Sequence, residues 1–545
     1  MDQLPQELVE AILQQCVAGG TKNNVLSLRL VCRAFNYGLK PYALRTLNLD
    51  FTRLNRALGE VRPTFDALQT IGYHCKSLFI DLMVLRDEQE VDFLTTVFAR
   101  VDSMKKFCDS LHERYCLGEA TFTEVEYHRK VEELLFNCRD VERVRLSLPF
   151  QLIGRHCNTS TMILANTFKA FASRPEEDSA PLKALVLENV TDIAICHLWV
   201  NPMDLQNIMK VLEAVEHLVL GLRLHETDPM KVSLFGGCLW NLIEYAGCLQ
   251  SLCLTALDHD DRPPRGLKQT KHWQTTVEEW RACSLPIPRI NIENLTSLEL
   301  KRIEICPETL LRAAEDLGTT LEELYLNEVY LKAEQSRDWN ADSKKILWIG
   351  IPNVRPAPDC QWIAMALRGS LRKLSICRAS FLAYDLYLRE EIPGHPEFDL
   401  IDPCGIGRSV SQRFVEVVMG IHQPNMPNGS PVEFLPADSK QDHLLRSLQE
   451  RAGALSVTEY DTNAYQSAVC NTTSRWLRSI DGYFPNLNSS TLDELHYIAD
   501  TACRGMTEVQ RRRQEWEAGA SIANEYADNL FNLANQEQEQ EPDVI

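Results

Sequence analysis

Apolar residues along this chain follow two patterns. Near the N-terminus they recur at helical spacing. Leu8, Ile12 and Cys16 stand four apart, and Leu4, Val9 and Leu13 widen the stripe, as an amphipathic helix requires. Pro5 suits a first helical turn, where its missing N–H costs nothing. Glu7 lies near the positive end of the helix dipole. Gly19-Gly20 predicts the stop. Asn24 is placed to cap a second helix with an apolar face of Val25, Leu28, Val31, Cys32 and Phe35. Further on the pattern becomes L-x-x-L-x-L. It reads Leu182-Leu185-Leu187, Val215-Leu218-Leu220, Leu249-Leu252-Leu254, Leu295-Leu298-Leu300, Leu321-Leu324-Leu326 and Leu371-Leu374-Ile376. Weaker copies are Leu44-Leu47-Leu49, Cys75-Leu78-Ile80 and Val141-Val144-Leu146. Each predicts a short strand whose alternate residues face a core. Helical stretches are predicted between them, at 162–174, 203–214, 239–247, 307–317 and 360–369.

Strand and helix alternating at 26 to 50 residues per unit resembles an irregular leucine-rich-repeat solenoid. An unrelated α/β domain with L-x-L strands fits the same pattern. The ninth position of each unit is Val190, Arg223, Leu257, Ile303, Val329 and Ala379. The turns after the strands therefore need something other than an asparagine ladder to hold them. In a solenoid the leucines point inward, and the residues between them face a concave surface. Those are Val186, Glu188, Val219, Cys253, Thr255, Glu299, Lys301, Tyr325, Asn327 and Ser375. Val and Tyr beside Glu and Lys suit a protein ligand. Val186, Val219, Cys253, Glu299, Lys301, Tyr325 and Asn327 are accordingly the candidate target-binding residues.

Residues 258–294 and 332–358 are rich in Pro and charge and read as inserted surface loops. After Phe381 the repeat fades. A Pro/Gly-rich linker is expected over 386–439, a helical C-terminal region over 440–535, and a disordered acidic tail over 536–545. Thr491 and Glu494 have the spacing of a capping box.

The N-terminal residues carry a second resemblance. Leu4-Pro5, Glu7-Leu8, Ile12-Leu13 and Leu28-Arg29-Leu30-Val31-Cys32-Arg33-Ala34-Phe35 are similar, in order and spacing, to an F-box. The following Leu39-x-Pro41-Tyr42-x-x-Arg45-x-Leu47-x-Leu49 looks like the sequence after the F-box in many fungal members. By pattern alone an ordinary helical hairpin fits as well. The resemblance implies a module at 1–41 that docks the adaptor subunit of an SCF-type ubiquitin ligase, and through it a cullin. The docking residues would be Leu4, Pro5, Leu8, Ile12, Leu13, Leu28, Val31 and Phe35. The body at 42–385 would hold an unknown target protein.

Composition is that of an ordinary soluble globular protein, 45% hydrophobic and 24% charged. A net charge of −20 argues against nucleic acid as a main ligand. No apolar run is long enough for a membrane span, and the acidic N-terminus, without a hydrophobic stretch, does not read as a signal peptide. The 18 cysteines form no C-x-x-C, which points to reduced thiols in cytoplasm or nucleus. No phosphate loop, nucleophile elbow or dinucleotide fingerprint is present. Asp258-His259-Asp260-Asp261 reads as a solvated turn, and Arg511-Arg512-Arg513 as a charge-paired helix face. No cofactor or metal is expected, and the chain is expected to be no enzyme. The expected fold class is α/β: an N-terminal helical F-box, an irregular leucine-rich-repeat-like solenoid of short parallel strands alternating with helices, and a helical, loop-rich C-terminal region. The expected role is substrate receptor of the ligase. The alternatives are an interaction scaffold outside the ubiquitin pathway and an enzyme with a concealed site.

Overall fold

The structure is a computed structural model. It describes residues 5–19, 22–50, 66–117, 123–149, 157–175, 177–224, 229–256, 283–285, 287, 289–327, 329–331, 346–348, 360–380, 383–384, 414, 418 and 489–538. Most of the two inserted loops, the Asp258–Asp261 cluster, nearly all of the 386–439 linker, residues 440–488 and the end of the acidic tail lie outside these.

The centre of the molecule is a nine-stranded sheet. Its strands are β1 (Thr46–Asp50), β2 (Ser77–Asp81), β3 (Arg143–Ser147), β4 (Ala184–Thr191), β5 (His217–Arg223), β6 (Ser251–Ala256), β7 (Ser297–Lys301), β8 (Glu323–Asn327) and β9 (Ile376–Ser380). They lie side by side in chain order, and every pair is parallel. The period-2 leucines explain this registration. Leu49, Ile80, Leu146, Leu187, Leu220, Leu254, Leu300, Leu326 and Ala379 form one unbroken row across all nine strands. Slipping one strand by a residue would turn its leucines to the opposite face. Helices cover the leucine side. Leu164, Phe168, Ile195, Leu198, Ile208 and Leu239 from four of them pack on Leu185, Leu187, Leu218 and Leu220.

All the predicted strands form. The last copy is displaced from its expected frame. Leu324 and Leu326 pair with Cys377 and Ala379, so that unit reads Leu374-x-x-Cys377-x-Ala379, three residues later than expected. Ser375 precedes the strand, and Arg378 takes the place expected for it. The slip arose because Leu371 and Leu374 offer the apolar spacing, whereas the true core positions are a cysteine and an alanine.

A second, shorter ladder accompanies the last units of the sheet. Short parallel strands at Cys283–Ser284, Ile303–Ile305, Tyr330–Leu331 and Ala383–Tyr384 run beside one another just beyond the main strands. The chain enters one of them through Arg302, whose φ of 53° is left-handed. The Arg302 N–H donates to the Asn327 carbonyl, 2.9 Å away.

At the N-terminal edge, α1 (Gln6–Gly19), α2 (Lys22–Leu28) and α3 (Arg33–Ala43) form a separate module. The expected second helix is thus two. The Cys32 sulfur accepts from the Phe35 N–H at 3.5 Å and starts α3 anew, and Asn24 lies inside α2 rather than at its cap. Leu13, Val25, Phe35, Leu39 and Ala43 form this module's own core. At Gly38 a Cβ would stand 2.2 Å from a Leu13 methyl, so glycine permits α1 and α3 to approach.

The C-terminal region contributes one long helix, α4 (Ser489–Gln538). It begins two residues before Thr491, so Thr491 is no cap. Ile498, Ala502, Met506 and Val509 pack on Val91, Leu94, Phe98, Met104 and Phe107, which belong to helix Glu88–Val97, its C-terminal cap Phe98 and helix Asp102–Tyr115. Arg511 pairs with Glu508 and Glu515, and Arg513 with Glu517, the arrangement expected of the basic run. Among the described residues no helix is long and apolar enough to cross a membrane.

Candidate functional site

Two surfaces were expected to bind partners, and the structure treats them differently. In the N-terminal module the Pro5 carbonyl accepts from the Leu8 and Val9 N–H groups and opens α1. Leu8 and Ile12 then point outward, 52% and 37% exposed, and Leu30 and Val31 in the turn between α2 and α3 are 88% and 68% exposed. Pro5 is exposed and Leu4 lies outside the described residues. Leu13 and Phe35 do not belong to this surface. They are 7% and 8% exposed because the small core needs them, and Leu28 is half-buried against the same core. Leu30 was missed as a surface residue, although it stands inside the quoted motif. A leucine in a tight inter-helix turn has no core to face, and that is the signal.

The second surface is closed. Val186, Val219, Cys253, Glu299, Lys301, Tyr325 and Asn327 do stand on the non-leucine face of the sheet, in register with one another. All seven are buried, so the expected open concave face does not exist in this state. From the C-terminal third, Phe414, Val418 and Leu495 join the same core as the sheet. Pairing makes the burial of charge tolerable. Lys301 Nζ lies 3.3 Å from Glu299 Oε1, and the Tyr325 hydroxyl donates to Glu323 at 3.1 Å.

The densest polar cluster on this face lies at β2–β4, where Glu188 had been expected to face the concave side and Asp81, Arg145 and Ser147 had not been singled out. Arg145 Nη2 is 2.7 Å from Glu188 Oε1, and its guanidinium stacks 4.6 Å over the Phe79 ring. Ser147 donates to the other Glu188 oxygen. A bulge between Leu187 and Val190 aims Glu188 at them. It puts Asn189 in a left-handed conformation at φ 63°, and Asn189 bridges the Leu148 carbonyl and Arg223. Asp81 completes the group. Its Oδ1 accepts from the Met83 N–H at 3.4 Å. Thr491 of α4 lies close enough to oppose the upward shift of its pKa, yet Oδ2 has no partner within hydrogen-bond distance.

Burial pushes the Asp81 carboxyl up to about 7, and the Glu188 charge adds to this against the opposing Met83 N–H and Arg145. A carboxyl raised in the fold above its unfolded value stabilises less as pH climbs. Its penalty begins above the unfolded value of 3.8 and is complete above 7. Asp81→Asn should therefore stabilise the protein, and the gain should grow by about 2 kcal/mol between about pH 5.5 and about pH 8.5. Urea unfolding of both proteins at the two pH values measures this; an equal difference at both would refute the ionisation account.

A further apolar surface lies among the outer helices, where sequence reading placed nothing. Trp199, Met230, Leu234, Gly237 and Cys238 line a groove of about 580 Å³. The helix Asp192–Val200, DIAICHLWV, is apolar around most of its circumference, and that was the available signal. The cysteines whose side chains are described are free thiols, and among the described residues no group of three or more His, Cys, Asp or Glu is placed to hold a metal ion.

Neither a protein-family model nor any curated protein matches the sequence.

Proposed function

We propose that the chain is a substrate-receptor subunit of an SCF-type cullin–RING ubiquitin ligase, joined to the adaptor by its N-terminal module. The observation that carries this reading is the exposure of Leu8, Ile12, Leu30 and Val31 on a module whose core is already complete without them. Apolar side chains left outside a filled core mark a surface for a protein partner, and these four belong to the F-box-like motif. Pro5, at the head of α1, extends the same set. The parallel strands in chain order, with leucines toward the helices, support reading the body as an irregular leucine-rich-repeat-like solenoid. On this reading the chain performs no chemistry. It holds a target near the conjugating enzyme and works by raising effective concentration.

Co-purification with the SCF adaptor tests the proposal. Wild type should retain the adaptor. Pro5→Ala/Leu8→Asp should lose it at least about ten-fold, because the aspartate would be buried uncompensated in the complex, while keeping the thermal transition of wild type. Absence of adaptor from the wild-type preparation sinks the ligase reading and leaves a non-enzymatic scaffold.

A further inference from the structure

The inner face of the sheet mixes core apolar side chains with buried polar and charged ones. Its leucine side is apolar from β1 to β9, whereas the inner side buries Asp81, Arg145, Ser147, Glu188, Glu299 and Lys301. A core gains by removing apolar surface from water, and here Phe79, Val186, Val219, Cys253 and Tyr325 share the face with buried charge. The face is also incompletely satisfied. Ser77 Oγ, Asp81 Oδ2 and Ser251 Oγ, all on inner-facing positions, are buried without a hydrogen-bond partner. Native cores pair nearly all such atoms, and an orphan is costly. Polar atoms left waiting on a covered surface are what a binding face with an imperfect occupant would show.

Among the described residues, the start of α4 reaches this face beside Asp81, and Phe414 and Val418 join the same core. Thr491 and Leu495 are buried against the sheet, with Thr491 beside Asp81 and Leu495 in the main core. The same helix is held by a different set of contacts further on. Its Ile498, Ala502, Met506 and Val509 stripe packs on the helices Glu88–Val97 and Asp102–Tyr115, in a cluster separate from the main core. That crossing is close at Gly505, where a Cβ would stand 2.6 Å from Met104 Cε and 2.8 Å from Phe98 Cε1. The helix therefore has a foot on the polar face and a clasp on an independent apolar platform.

We propose that the inner face of the sheet is a polypeptide-binding face, held shut by residues Ser489–Val509 of the chain's own terminal helix acting as an internal ligand. The clasp on the helical platform supplies the holding force, and the polar face supplies recognition. A target segment that brings a hydrogen-bond donor to Asp81 competes with the helix for this face. The inference is independent of adaptor docking.

A thiol reporter in the full chain tests it. Ser147→Cys places a thiol on β3 beside Asp81, with which residue 147 is paired. Cys138 and Cys377 are buried in the main core and report general unfolding. In this background Gly505→Leu drives a side chain into Phe98 and Met104, and Ile498→Asp independently breaks the clasp. Either change should speed alkylation of the introduced thiol at least about ten-fold, with Cys138 and Cys377 still protected, as read by peptide mass mapping. A synthetic peptide of residues 489–509 in excess should restore protection, and a scrambled peptide should not. The proposal is overturned if the introduced thiol and Cys138 open together, if the introduced thiol stays closed in both variants, or if the peptide fails to re-protect it.

Discussion

Replacing Arg145 with methionine is expected to cost the fold about 3–5 kcal/mol. Arg145 and Glu188 sit on adjacent strands with their side chains almost wholly removed from water, 2.7 Å apart. Methionine fills much of the space over Phe79 but takes the guanidinium away from the Glu188 carboxylate, which also feels the Asp81 carboxyl. Removing one partner of a buried pair strands a charge, and that costs far more than the pair itself is worth. Arg145→Met/Glu188→Leu should therefore recover most of the loss. Urea unfolding of both single variants and the double gives the coupling directly. If the double variant loses the sum of the two single losses, the pair is not coupled and this account of the inner face is wrong.

Phe35→Ala should have an effect of similar size, confined to the N-terminal module. Phe35 is among only five buried residues that hold α1, α2 and α3 together, and emptying such a site costs about 3–5 kcal/mol. A core that small has little else to hold it, so the module should open while the sheet stays intact. Hydrogen exchange should rise across residues 5–44 and remain unchanged in β3 to β8. Val31→Asp makes the contrast. Val31 is mostly exposed, so its substitution should leave exchange in the module as in wild type while removing the adaptor. Equal loss of protection in both variants would mean that Val31 is structural and the surface has been misassigned.

The strands were legible because their signal is local. Leu298-x-Leu300 and Leu324-x-Leu326 announce a core-facing row without reference to anything else, and the rows align across the sheet. Five of the helices between them were legible for the same reason, whereas Glu88–Val97, Asp102–Tyr115, Glu124–Asn137 and Asp192–Val200 were not read. Legibility failed where chemistry replaced apolar spacing. Cys377 and Ala379 occupy the core row of β9, but flanking leucines offered a stronger false frame. At the N-terminus the motif LRLVCRAF read as the end of one helix, whereas the Cys32 cap splits it. The split is what turns Leu30 and Val31 outward and Phe35 inward.

By itself the sequence determined which residues alternate along each strand, that the strands stack in chain order, and that an amphipathic module precedes them. Those properties follow from spacing over a few residues and from the fixed directions of side chains on strands and helices. Only the tertiary structure decided which of the polar alternates meet water. Val186, Cys253, Glu299 and Tyr325 are placed as expected and are nevertheless buried, with C-terminal residues such as Phe414 and Leu495 in the same core. Burial depends on what lies across a surface, and here a covering segment comes from far along the chain, beyond the reach of any local pattern. Arg145 and Glu188 belong to the same lesson: each is an unremarkable charge in its own strand, and the β4 bulge makes them a pair.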